Sequence, residues 1–243
     1  VRIVECEQGG TEWLEARMAI ATASQFSRIL TPTRKVSTGK GVRTYQHELI
    51  AEWLLGKPMG EIIGSGFVQR GSEMEAEAVR YYEFQREVET TRVGFVLLDP
   101  NPWDDGRFDE MVGCSPDRLV GDDGGLEIKC PRPAEHVANM LNMTSLYEMQ
   151  CQGCMWITER KWWDILSFHP ELPSAIVRLD RDEELIGQLA EAVGDFLQGL
   201  LHYREQLKEH KVEQPDFAVP EQPDELVECE APRVPATGDG IPF

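Results

Sequence analysis

Cysteine is scarce in this chain and poorly placed for cross-linking. Six residues (6, 114, 130, 151, 154 and 229) are scattered through 243, which excludes a disulfide framework and points to reduced thiols. No apolar run reaches bilayer-spanning length, so no transmembrane helix and no membrane partner are expected. The opening Val1-Arg-Ile-Val-Glu5 lacks the charged-then-apolar design of a secretion signal, and a cytoplasmic protein follows. The five histidines show no ligand spacing and read as satisfied or exposed side chains. Cys151-x-x-Cys154 lacks the downstream cysteine triplet of a four-cysteine cluster, since only Cys229 follows it, and reads as two small core residues.

Chemistry is concentrated in residues 113–131. Asp117 opens a short apolar run, Leu119-Val120, and Gly121 to Gly125 can form a hairpin turn that brings Leu126-Glu-Ile-Lys129 back beside it. Side chains two apart on a strand share a face, so Glu127 and Lys129 project together while Ile128 faces the core. Asp117 then sits across the turn from them. Two converging carboxylates favour a hard divalent cation, Mg²⁺ or Mn²⁺. A lysine beside that cation can position and help deprotonate an attacking water, or steady a pentavalent phosphate. The plain alternative is a surface hairpin with solvated charges.

An Asp followed about ten residues on by Glu-x-Lys, with Pro116 before it, is the pattern of the PD-(D/E)xK nuclease superfamily. Further segments occur in one order: Trp13-Leu-Glu-Ala-Arg17 with Ile20-Ala-Thr-Ala-Ser24, Arg70-Gly-Ser-Glu-Met-Glu75 with Ala78 and Tyr82, Ser115-Pro-Asp117, Leu126-Glu-Ile-Lys-Cys-Pro131, and Tyr147-Glu-Met-Gln150 with Met155-Trp-Ile-Thr158. From about Val4 to Pro170 this series resembles the lambda-exonuclease and YqaJ-like viral recombinase nuclease family. The resemblance implies a restriction-endonuclease-like α/β core, a mixed central sheet flanked by helices. It implies a phage- or prophage-type 5′→3′ exonuclease in a bacterial host, which digests one strand of linear duplex DNA to mononucleotides and leaves 3′ single strands. A single-strand annealing protein would take these up, and a homotrimeric ring would encircle the DNA.

The same resemblance assigns roles. Asp117, Glu127, the Ile128 carbonyl and Glu75 would hold the metal, two ions in all, while Lys129 and Gln150 handle the water. Arg17, Ser24 and Ser115 match a pocket for the terminal 5′-phosphate, where arginine gives a bidentate contact and hydroxyls add donors. The family usually has a further basic residue near Glu135; Arg132 is the nearest cation here. Tyr147, one helical turn before Gln150, would line the same groove on DNA, with a structural hydrogen bond as its alternative. Two rival functions remain open: an endonuclease of the same fold, and a nonenzymatic DNA-end clamp or recruitment subunit.

Positive charge is short for such a role: 24 Lys and Arg stand against 43 Asp and Glu, a net −19. Residues 213–243 carry −7 of it, leaving −12 for 1–212. Binding DNA then needs concentrated cations. The stretch 31–44, with Arg34, Lys35, Lys40 and Arg43 and no acid, is read as a mobile basic loop at the DNA entrance, or else as an ordinary solvated loop. One exonuclease domain over 1–212 and a disordered, acidic, proline-rich tail over 213–243 are expected. The tail ends in Ile241-Pro-Phe243, which resembles the C-terminal tip of bacterial single-stranded-DNA-binding proteins and could dock on host repair proteins; otherwise it is only a solubilising tail.

Periodicity predicts helices over Thr11–Met18, from Ser24 to about Leu30, over Tyr45–Leu55 with Gly56 as a stop, and over Glu73–Gln85, His136–Thr158 and Glu183–His210. Strands are predicted over Val88–Leu98, Met111–Val120, Leu126–Cys130 and Trp162–His169.

Overall fold

The structure is a computed structural model that describes residues 1–59, 66–99, 108 and 110–210, with the side chains of 66–73 outside the description. The elements run β1 (Arg2–Val4), α1 (Thr11–Ala16), β2 (Ala21–Thr22), a 3-10 segment (Ala23–Arg28), α2 (Lys40–Leu55), α3 (Gly66–Arg86), β3 (Thr90–Thr91), β4 (Phe95–Leu97), β5 (Val112–Cys114), β6 (Arg118–Val120), β7 (Gly124–Lys129), α4 (Pro133–Thr158), β8 (Trp162–Ser167), β9 (Ala175–Asp180), α5 (Glu183–Leu207) and a last 3-10 turn (Lys208–His210). The architecture is mixed α/β, with strands in two mixed sheets ordered β1-β4-β5-β2 and β3-β6-β7-β8-β9.

The predicted strands 88–98 and 111–120 each break and change sheet. Thr90–Thr91 pairs with β6 and Phe95–Leu97 with β1 and β5; likewise Val112–Cys114 lies in the first sheet and Arg118–Val120 in the second. The Gln8 side-chain amide braces both crossings, donating to the carbonyls of Val93 (2.9 Å) and Pro116 (2.7 Å). Asp117 therefore sits at the step between sheets. Strands β1 and β2 are too short to carry alternation, β9 alternates over Val177-Arg178-Leu179-Asp180 but is not among the predicted strands, and the segment after Thr22 is 3-10 rather than α.

Strand β7 is the axis of the second sheet, antiparallel to β6 and parallel to β8. Its faces divide the core. Leu126 and Ile128 pack with Ala78, Val79 and Tyr82 of α3, whereas Trp163 and Ile165 of β8 belong to the larger core with α4 and α5. In the hairpin turn Gly121 takes φ +52°, as a turn glycine should. Gly124 and Gly125 are glycines for another reason: an added Cβ would stand 2.0 Å from the Trp162 ring and 2.2 Å from that of Trp163. Helix α5 carries the expected apolar stripe, Leu185, Leu189, Val193, Phe196 and Leu200, and the Asp182 carboxylate caps it by accepting from the Leu185 amide at 3.0 Å. Gly56 ends α2 in the left-handed conformation, as predicted. Among the described residues no helix is long and apolar enough to cross a membrane, and the five described cysteines are free.

Candidate active site

The hairpin delivers the geometry its spacing predicts. Arg118 pairs with Leu126 across it, and the Asp117 Oδ2 accepts from the Ile128 amide at 2.6 Å. On the opposite face from Ile128, the Lys129 Nζ lies 2.6 Å from the Glu127 Oε1. The turn is clamped by Arg160, whose Nη1 donates to the carbonyls of Gly121 and Gly124 at 2.7 Å each.

This cluster holds more negative charge than it neutralises. Burial, and next the neighbouring Glu127 carboxylate, push the Asp117 pKa well above the usual range against the pull of the Ile128 amide and Lys129. Burial alone would lower Lys129, yet the Glu127 charge and hydrogen bond, with Asp117 behind them, raise it, so it stays an ammonium. The other Glu127 oxygen, Oε2, is buried without a partner among the described residues. A buried carboxylate oxygen left open beside a second, strained carboxylate fits a cation. Glu75, the third expected acid, comes from α3, close enough for its charge to push Asp117 up further, and Arg118 Nη1 stands 3.7 Å from it. Among the described residues no three His, Cys, Asp or Glu side chains converge as a ready-made metal cage. Of the expected donors, the hairpin brings Asp117 and Glu127 together, with Glu75 within electrostatic reach of Asp117.

Helix α4 closes the charged face. The Tyr147 ring lies under Lys129, 4.9 Å from ring centroid to Nζ, and the half-buried Gln150 follows one turn later. Cys151 and Cys154 on this face are buried core residues, and the Cys151 thiol is raised well above its ordinary value by burial, then by Glu127.

Arg17 stands in a second cleft, a cavity of ≈ 440 Å³ lined also by Trp13, Thr22, Arg28, Glu48 and Glu52. Its guanidinium stacks on Trp13 at 4.0 Å, and burial lowers its pKa. Both lining acids are engaged elsewhere: Glu48 takes Arg28 through two bonds of 2.7 and 3.0 Å, and Glu52 accepts from the amides of Ala19 and Met59. Neither predicted serine lines the cavity itself, and each touches a residue that does. The Trp13 indole donates to Ser115 Oγ at 2.9 Å, and Ser24 Oγ is 3.3 Å from Thr22 Oγ1.

Other predicted contacts lie elsewhere. Arg132 is exposed at the N-cap of α4, and its amide meets the Glu135 carboxylate at 3.4 Å, so the position where a cation was sought closes a helix end instead. The basic stretch is split: Thr31 and Lys35 close a turn, Arg34 pairs with Asp182 at 2.9 Å, and Lys40 and Arg43 belong to the first turn of α2. Lys35, Lys40 and Arg43 are exposed. The residues 213–243 and the side chains of Arg70 to Glu73 lie outside the described residues. Sequence reading missed Trp13, Arg118 and Arg160 as supports; a tryptophan four residues before Arg17 on one helix face was the available signal for the first.

A model of the YqaJ-like viral recombinase domain matches residues 12–161. In three dimensions the chain is similar to an alkaline exonuclease, LHK-Exo, from Laribacter hongkongensis, with 31% identity and TM-score 0.70 over 82% of this chain and 97% of that one. The LHK-Exo complex with dAMP gives 30% identity and TM-score 0.71 over the same shares. A phage-related exonuclease from Haemophilus somnus 129PT shares the fold, at 17% identity and TM-score 0.57 over 77% of this chain and 96% of that one. Comparison with curated proteins found no match.

Proposed function

Since the chain belongs to the YqaJ-like viral recombinase domain family and is a nuclease of the alkaline exonuclease type, we propose that it digests one strand of linear duplex DNA from the 5′ end. Asp117, Glu127 and the Ile128 carbonyl would hold Mg²⁺ or Mn²⁺, two ions if Glu75 takes part. A divalent cation held there would supply Lewis-acid stabilisation of the charge that develops at the phosphate. Lys129, 2.6 Å from Glu127, donates to a phosphate oxygen and orients the water. Gln150 offers its amide to the same water. Attack at phosphorus breaks the bond to the 3′-oxygen and frees a 5′-mononucleotide, the class of compound that the similar exonuclease holds as dAMP.

The cut leaves a new 5′-phosphate on the shortened strand. That group suits the Arg17 cleft, whose guanidinium has no carboxylate partner among the described residues while its acids are engaged. Each turnover therefore regenerates the ligand that the cleft reads. The homotrimeric ring, the annealing partner and the docking of Ile241-Pro242-Phe243 on host repair proteins belong to this reading.

The observation that carries it is the open Glu127 Oε2 in a hairpin that also presents Asp117 and Lys129. Linear duplexes with 5′-phosphate or 5′-hydroxyl ends, incubated with Mg²⁺ beside a closed circle, test it. Release of 5′-mononucleotides from linear DNA, faster with 5′-phosphate, is expected. Cutting of the circle would make the protein an endonuclease, and end binding without hydrolysis would make it a clamp.

A further inference from the structure

Behind Lys129 lies a buried chain of hydrogen bonds whose direction is fixed at one end. His136 Nε2 is 3.0 Å from the Pro173 carbonyl, which can only accept, so this nitrogen carries the proton. In the neutral ring Nδ1 then accepts, and its partner at 2.8 Å, the Ser167 hydroxyl, must donate. With its proton committed, Ser167 Oγ accepts from the Asn139 side-chain NH₂ at 3.1 Å. The remaining Asn139 oxygen accepts from the Tyr147 hydroxyl at 3.3 Å. His136 and Ser167 are fully buried and Asn139 nearly so. Ser167 is also the register partner of Lys129 across β7 and β8.

Tyr147 and Asn139 lie on either side of a break in α4 at Asn142, which has φ −151° and ψ 39°. In an unbroken helix eight residues rise about 12 Å and turn the two side chains about a quarter turn apart. The break re-aims the second half of α4, and the bond across it fixes where the Tyr147 ring stands. That ring carries the Lys129 ammonium.

We propose that His136, Ser167 and Asn139 are positioning residues that hold Lys129 over the reacting phosphate by orienting Tyr147. The hydroxyl of Tyr147 is spent inward on Asn139, so the residue acts through its ring face and not as a proton donor or DNA ligand. The role in catalysis rests on the proposed nuclease reading; the placement of Lys129 does not.

Two readouts separate these. Lysines carrying ¹³C-methyl groups are observed by NMR in metal-free protein, the Lys129 signal being identified by its loss in Lys129→Arg. In the wild type the Tyr147 ring shifts that signal upfield. Ser167→Ala and Asn139→Asp should return it toward the position of an exposed lysine while the other lysine signals stay in place. An unmoved signal in both variants overturns the proposal whether or not the protein cuts DNA. In the kinetic arm, Ser167→Ala lowers kcat about 10-fold or more with KM for duplex DNA little changed. Combined with Tyr147→Phe, which keeps the ring and cuts the chain at its last bond, Ser167→Ala adds no further loss. Equal losses from Ser167→Ala in the wild-type and Tyr147→Phe backgrounds would overturn the relay.

Discussion

On the β6–β7 hairpin two carboxylates share the ammonium of Lys129, whereas around Arg17 a guanidinium faces a cavity whose carboxylates are already engaged. The hairpin leaves a buried carboxylate oxygen open, and the cavity presents an arginine that no carboxylate pairs directly among the described residues, although Glu52 lies within electrostatic reach of it. Their construction differs as well. The hairpin site is local, its acids and lysine falling within thirteen residues and on one turn. The cavity is assembled from α1, the 3-10 segment and α2, with Ser115 joining through the Trp13 indole from the step between the two sheets. On the proposed reading the hairpin takes the cation and the cavity a phosphate, which is what an enzyme that holds one end of a strand and cuts nearby requires.

The largest effect should come from breaking the hairpin. Lys129→Ala, or Asp117→Asn, is expected to slow nucleotide release by about 100- to 1000-fold or more, read in single-turnover assays with end-labelled duplex, while the purified variants stay folded and bind DNA ends. Near wild-type rates in either would remove these residues from the chemistry.

Arg17→Ala sharpens the contrast from the other side. A lost charged hydrogen bond is worth about 1.5–3 kcal/mol, or roughly a 10- to 150-fold loss of preference for 5′-phosphate over 5′-hydroxyl ends. Equal slowing on both ends would show that Arg17 is not the reader.

How far these two regions could be read in advance follows from how each is built. Strand period and turn chemistry placed Asp117, Glu127 and Lys129 together, because every contact lies within one hairpin. The stripe of α5 was legible for a similar reason. The change of sheet at Arg92-Val93-Gly94 and Ser115-Pro116-Asp117 was not, since two- and three-residue strands are held by tertiary pairing and carry no periodicity. Gly124 and Gly125 looked like turn residues; the indole rings that require them stand 38 positions away in the chain. Arg34 looked available for DNA, yet it meets Asp182, 148 residues on. His136, Asn139 and Ser167 gave no signal, because a relay spanning 31 residues has no spacing rule.

The hairpin's excess charge has a pH signature in metal-free protein. Asp117 is raised in the folded state, so between the ordinary carboxylate pKa and its raised value the folded chain holds a proton that the unfolded chain has lost. Stability therefore falls as pH rises through that window and stays lower above it. Asp117→Asn should raise the metal-free melting temperature at neutral pH and leave it nearly unchanged near pH 3, as scanning calorimetry with a chelator would read. A variant less stable than wild type at neutral pH would contradict the strained pair.

A smaller effect belongs to neither cleft. Asp182 caps α5 and is lowered by the Leu185 amide and, further down, by Arg34. Its contribution is present above the unfolded carboxylate pKa and fades as pH falls through the depressed value. Asp182→Ala should cost about 1 kcal/mol in urea unfolding at neutral pH, with nuclease activity retained.

The opposite preferences of the two regions are tested most directly by Mn²⁺ titration followed by electron paramagnetic resonance on wild type, Asp117→Asn and Arg17→Ala. The expected result is binding of Mn²⁺ to wild type and Arg17→Ala with equal affinity, and its loss from Asp117→Asn. Unchanged Mn²⁺ binding in Asp117→Asn, or loss of it in Arg17→Ala, would contradict the assignment of the cation to the hairpin and of the anion to the cavity.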